Sequence, residues 1–283
     1  FFFSSRRRHT IFNRFLNDLS GIEPSIPVLI IAGNHDSAER LDYASAFLMK
    51  ENIFISTQPP AGEDEYLKKI VLKDEYGDVN FYLLPFTKPG YVRHLFEDGL
   101  VTGYDSAIKA LIDRENIDYS QRNVLISHQF YVSGDISPET CDSEQVYISV
   151  GGLDSVDIEV IKDFDYVALG HLHRAQSIGM SHIRYSGTPL KYSVSEEKHI
   201  KAITLVTLND KGSEIKVDSI GLKALRDVRS VRGRLNEIIS RATEDNRHDY
   251  ISITLTDEED IYKPKDQLEE HYDHILEVKI DNS

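Results

Sequence analysis

The sequence has no tryptophan, two methionines and a single cysteine, Cys141. One cysteine excludes an internal disulfide and a thiolate zinc cluster of the Cys-x-x-Cys type, and fits a reducing, cytoplasmic setting. Cys141 lies in the polar stretch "SPETCDSEQ" and reads as a bystander. No apolar run approaches the roughly 20 residues needed to span a bilayer, so the chain reads as soluble and without a membrane partner. Basic charge is also scarce, with 32 Lys and Arg against 47 Asp and Glu and a formal net charge of −15. That balance opposes a broad nucleic-acid-binding face. The deficit is uneven, however. Residues 223–241 carry six Lys or Arg against two acids, whereas 243–283 carry four against thirteen. A local basic stripe therefore coexists with an acidic total, and a solvated helix face explains it as readily as a ligand surface.

What remains is ordinary for a globular chain of 283 residues, with 40% apolar and 28% charged residues. Its length suits one large domain, or one large and one small. The opening "FFFSSRRRHT" has neither an initiating Met nor the order of a signal peptide. Residues 1–10 are read as an artefact and left out of the fold argument.

Apolar spacing predicts a helix over 11–19, ended by Pro24 and Pro27, and a buried strand over 28–32. One long helix follows over 36–52, with Asp36 or Ser37 as its cap. A short strand at 53–57 and a hairpin over 66–86 come next. A helix is expected over 104–116, a strand over 123–130, a short helix over 154–163 and a strand over 165–173. Strands are then expected over 183–193 and 201–210. A basic segment begins at 223 and leads into a helix over 231–242, a strand over 250–256, a helix over 264–271 and a strand over 275–280. Early alternation of strand and helix, with hairpins later, points to a layered α/β domain with a mixed sheet over 11–222, and a small α+β unit over 223–283.

Three of the expected strands end in polar, metal-competent groups. The first ends in Gly33-Asn34-His35-Asp36, the second in Ser127-His128-Gln129 and the third in Gly170-His171-Leu172-His173. Loops after strand C-termini in layered α/β sheets converge on one edge. Neutral imidazoles and an amide oxygen are good donors to divalent transition metals, and a pair of such ions can clamp a phosphoester and activate water. Gly33 and Gly170 would let the backbone turn sharply. Taken singly, each histidine is more often a plain hydrogen-bonding residue, and Asn34 a turn former. Taken together, the three strand ends favour metal.

"GNHD", the His of "ISHQF" and "GHLH" resemble the later motifs of the calcineurin-like metallophosphoesterases. The longer strings "GNHDSAERL", "ISHQFYVSG", "GHLHRAQ", "YSGTPLKYSVSEE" and "LKALRDVRSVRGRL" are similar to the SbcD nuclease-subunit family, over nearly everything after residue 11. The resemblance implies a calcineurin-like fold with a small C-terminal capping domain starting at 223. It implies two Mn²⁺ or Mg²⁺ ions, with Asn34, His128 and His171 holding one and His173 contributing to the other. His35 would steady the phosphate or protonate the leaving oxygen, and Asp36 would accept the His35 ring proton. The resemblance also implies an SbcC ATPase partner, a homodimer within a heterotetramer, and DNA cleavage in repair, recombination and replication. Candidate phosphate contacts are Arg174, Lys191, Arg226, Arg229, Arg232 and Arg234. The family's earlier Asp-x-His and Gly-Asp-x-x-Asp have no match before residue 33, where Asp18 is the only Asp. The second metal site is thus incomplete, and the expectation is a truncated piece that binds metal weakly and cleaves little. Two other readings stand beside this one: a different metallophosphoesterase, or a non-catalytic interaction protein.

Overall fold

The computed structural model describes residues 5–43, 45–144 and 154–281. Residues 1–4 of the segment read as an artefact lie outside the described residues. The chain forms a mixed α/β structure whose layers follow from where apolar side chains can be buried.

Helix α1 runs over Ser5–Ser20, longer at its start than the spacing predicted. It lays Leu16 and Phe12 against Ile53 and Ile55, while Phe15 is 54% exposed. Strands β1 (Val28–Ile31) and β2 (Ile53–Ser56) pair in parallel. All four residues of β1 are only half-buried, in a sheet of two strands. The single helix expected over 36–52 is instead α2 (Ala38–Asp42), α3 (Ser45–Leu48) and a 3-10 turn. None of these pieces buries a residue, and a helix without a packed face gains too little to extend.

The main sheet has the order β3-β4-β5-β8-β10-β9. The hairpin β3 (Lys68–Asp74) and β4 (Gly77–Leu84) is antiparallel, as its alternation predicts. Strands β5 (Arg122–Ser127) and β8 (Tyr166–Leu169) continue in parallel. The far edge adds β9 (Gln176–Ile178) and β10 (Met180–Tyr185). Between β5 and β8 in the chain, β6 (Tyr131–Val132) and β7 (Val156–Asp157) make a separate two-residue parallel pair. The short helix expected over 154–163 is replaced by β7 and a 3-10 turn, since Val156, Ile158, Val160 and Ile161 are β-branched and helix-poor.

Two layers cover this sheet. On one face, α5 (Tyr104–Arg114) packs Ile108 and Leu111 onto Leu125, Val167 and Ile183. Each such burial contributes about 1.5–3 kcal/mol. On the other face, the hairpin β11 (Ala202–Thr207) and β12 (Lys216–Gly221) sets Val206 and Val217 against Val79, Val124 and Tyr166. The short α4 (Pro89–Val92) buries Val92 beside α5.

The C-terminal unit is a parallel sheet of β13 (Val228–Gly233), β14 (Tyr250–Leu255) and β15 (His274–Ile280). Helices α6 (Leu235–Ser240) and α7 (Pro264–Glu269) connect them. Its own core includes Leu235, Ile238, Ile251, Ile253, Leu255, Leu268 and Tyr272. The helix expected over 231–242 is thus shorter, and "VRSVRG" is strand. Asp257 Oδ2 accepts the Leu235 amide at 2.9 Å, satisfying a free N–H at the helix start. Among the described residues, Ser230 N–H donates across to Glu197 Oε1 of the main unit at 3.0 Å, and Lys191 Nζ pairs with Asp227 at 2.8 Å.

Candidate metal centre

The first strand end reaches the main sheet through one residue. Ala32 N–H donates to Ser56 O, and Ala32 O accepts the Phe86 amide just past β4. Gly33 and Asn34 therefore stand beside the C-terminal end of β4. The next strand end is shaped from below. Tyr185 Oη accepts the Tyr131 amide at 2.7 Å and donates to Gln129 O at 3.0 Å, and Ser127 Oγ meets Tyr131 Oη at 2.9 Å. These buried bonds turn the chain after β5 and lift His128 onto the edge.

There His128 Nε2 lies 3.1 Å from Asn34 Oδ1, and its ring centroid is 5.3 Å from that of His171. Three strand ends, far apart in sequence, meet at one edge. His171 has φ 94°, a left-handed conformation uncommon for a residue with a Cβ. Leu172, 1% exposed, plugs into the main core between the two histidines. The glycines serve space rather than turning. Neither Gly33 nor Gly170 has positive φ. A Cβ on Gly33 would lie 2.7 Å from the His128 ring, and one on Gly170 would lie 2.8 Å from its Nδ1. The imidazole is cradled between two residues that lack side chains.

Burial pushes the His128 ring down to about 3, with His171 and His35 adding to the shift. Burial also lowers His171. The Glu144 carboxylate opposes that shift, and His35 and His173 reinforce it. Both rings are thereby kept neutral. His35 itself is exposed at the rim. Asp36, expected to take the His35 ring proton, accepts the Gly33 amide at 2.8 Å instead and closes the loop.

His173 sits in different surroundings. Its Nδ1 lies 2.8 Å from Ser143 Oγ and 3.1 Å from Glu196 Oε1. Ser143 donates to that carboxylate at 2.6 Å, and its other oxygen takes Lys201 Nζ at 2.6 Å. Burial pushes Glu196 up, but hydrogen bonds from Lys201, Ser143 and His173 outweigh it and hold the carboxyl at about 2. Glu144 accepts the His173 amide through Oε1 and the Cys141 amide through Oε2. Cys141, read as a bystander, belongs to this neighbourhood. Its thiol, Glu144 and His173 offer ligand atoms within 4.8 Å of one another, although burial pushes the thiol up to about 11. Cys141, Ser143, Glu144, Glu196 and Lys201 were all missed in the sequence. They sit in ordinary polar stretches, and only the folded chain brings them to His173.

The expected phosphate contacts divide. Arg174 pairs with Glu139. Lys191 is engaged with Asp227 and with Glu197 O. Arg229 pairs with Asp249 at 2.9 Å inside the C-terminal unit. Arg226 is exposed, while Arg232 and Arg234 make solvent-exposed pairs with Asp281 and Glu258 at 2.6 and 3.8 Å.

Would these residues fit a divalent ion? Ligands about 2.0–2.2 Å from a metal and at right angles to each other lie about 3 Å apart, close to the Asn34–His128 separation. The neutral His128 and His171 rings are the further nitrogen donors at this edge, and the Asn34–His128 pair fits.

Over residues 224–283 the chain matches a family model described as "Type 5 capsule protein repressor C-terminal domain", SbcD_C. It is also 33% identical over 258 residues to the SbcD component of the SbcCD nuclease of Staphylococcus epidermidis (strain ATCC 12228 / FDA PCI 1200). This chain is a relative of SbcD. The aligned part covers 90% of this chain, and the chain spans 65% of the length of that relative. The mixed α/β architecture of this SbcD relative agrees with the calcineurin-like fold. No helix among its described residues is long and apolar enough to cross a membrane.

Proposed function

We propose that this SbcD relative is a divalent-metal-dependent DNA nuclease that works with an SbcC-type ATPase. The observation that carries the reading is the meeting of Asn34, His128 and His171 at one sheet edge, with His173 beside them. In this reading Asn34, His128 and His171 hold one ion and His173 contributes to a second, with Mn²⁺ favoured. Divalent ions at such a site supply Lewis-acid stabilisation of phosphoryl charge. The chain's own groups do the rest. The Asn34 amide and the desolvated His128 and His171 rings present lone pairs rather than charge. Exposed His35 reaches the phosphate and gives a ring proton to the departing oxygen. Arg226, Arg232 and Arg234, all at the surface, position the DNA backbone. The four ligands are themselves neutral, which accords with weak metal retention unless carboxylates join them.

The test is a Mn²⁺ titration followed by electron paramagnetic resonance, run with cleavage of linear duplex and hairpin DNA in the presence of the ATPase partner. Mn²⁺ binding and metal-dependent cleavage should both fall in His128→Gln/His171→Gln. Binding that is the same in the double variant would refute the site. Arg226→Gln/Arg232→Gln/Arg234→Gln should retain metal binding, and the slope of log affinity for DNA against log salt should shrink by up to about 3.

A further inference from the structure

Around His173, one group receives more hydrogen bonds than any role in the reading above requires. Glu196 lies fully buried at the end of a 3-10 turn. Its Oε1 faces His173 Nδ1 and accepts from Ser143 Oγ and from the Tyr192 amide at 3.1 Å. Its Oε2 accepts from Lys201 Nζ. Lys201 also donates to His173 O and to Thr188 Oγ1, both at 2.9 Å. Carboxylate and ammonium thus grip one histidine, the first by its ring and the second by its backbone carbonyl.

The direction of each bond decides what the ring can do. Ionised Glu196 can only accept, and Ser143 spends its single proton on Glu196. Nδ1 therefore faces two acceptors and must carry the ring proton. The lone pair of neutral His173 is left on Nε2. We infer that Glu196 is a positioning residue, held by Lys201, that fixes His173 in the tautomer with a free Nε2 lone pair. Carboxylate partners do this for metal-ligating histidines generally, and losing one costs about 10–100-fold in metal affinity. The inference rests on the reading of His173 as a metal ligand only for that consequence. The tautomer itself is independent of it.

The experiment is two-bond ¹H–¹⁵N correlation of the imidazoles in the metal-free chain at alkaline pH, with His173→Gln used to assign the signal. The expected wild-type result is protonated Nδ1 and unprotonated Nε2 on His173. A protonated Nε2 in the wild type would overturn the proposal with no further variant. Glu196→Leu/Lys201→Met removes both buried charges together, so the fold is not left with one unpaired. In that variant the Nε2–H tautomer should grow, and Mn²⁺ affinity should fall about 10–100-fold. An unchanged tautomer in the folded double variant would make Glu196 merely structural and sink the proposal. A tautomer that shifts with no change in Mn²⁺ affinity would support the positioning role and refute His173 as a ligand.

Discussion

His128 and His173 reach the same sheet edge and are kept available by opposite means. His128 is walled by Gly33, Gly170 and the ring of Phe86, and it stays neutral because water is excluded. His173 is wired into Ser143, Glu196 and, through Glu196, Lys201, where hydrogen-bond direction places the proton. The first device depends on shape, and its failure should show as a packing defect. The second depends on charge balance, and its failure should show as an uncompensated buried ion. The two halves can therefore be broken separately.

The largest expected effect falls on the wired half. Lys201→Met leaves Glu196 as an unpaired buried charge, and breaking a buried pair in this way costs about 3–5 kcal/mol. Chemical denaturation would measure it. Glu196→Leu/Lys201→Met should recover most of the loss, since paired removal avoids the orphaned charge. If the single variant loses under about 1 kcal/mol, well below that range, the charge-balance half of the comparison fails.

Acid tests the shaped half next. His128 titrates near 3 when folded, against an ordinary value of 6.5. Between those values the unfolded chain binds the extra proton. Stability is therefore complete above about pH 6.5 and is lost as pH falls toward 3, by about 1.4 kcal/mol per pH unit. His171 is shifted in the same direction, chiefly by burial. Glu196, held near 2, adds loss only below its ordinary carboxylate range. Thermal melting from pH 7 to pH 4 should show the slope, and His128→Gln should flatten it.

The two halves also differ in how much of them a reader of the sequence could see. Continuous or alternating apolar runs gave away β1, the β3–β4 hairpin, β5, β8 and β14, because burial on a sheet face writes a local period. Helical extent was poorly legible at 36–52, where no described residue is buried, and at 231–233, where β13 runs through the start of the expected helix. The shaped half of the site could be read because its glycines and histidines sit directly at strand ends, although the glycines were credited with turning when they make room for a ring. The wired half could not. Ser143, Glu196 and Lys201 approach His173 from 30, 23 and 28 residues away, and a lone Glu or Lys in a polar loop carries no periodic signature.

Packing supplies the third test. A methyl group on Gly170 would overlap the His128 ring, and overpacking costs about 1–3 kcal/mol. Gly170→Ala should therefore lower the denaturation midpoint and weaken Mn²⁺ binding together. Gly90 is the control, because a Cβ there meets nothing within 4 Å, so Gly90→Ala should change neither. Equal tolerance at both positions would mean that His128 is not confined by its cradle.

The smallest effect separates the two devices most finely. Ser143 both receives the His173 ring proton and donates to Glu196. Ser143→Ala removes one neutral link and leaves Glu196 still bonded to Lys201 and within reach of Nδ1. Its cost should be about 1 kcal/mol, the net worth of a typical hydrogen bond, with the His173 tautomer preserved by Glu196 alone. If Ser143→Ala instead switches the tautomer, the proton is placed by the hydroxyl rather than the carboxylate. The wired half would then rest on the half-buried Ser143 loop rather than on the buried Glu196–Lys201 pair.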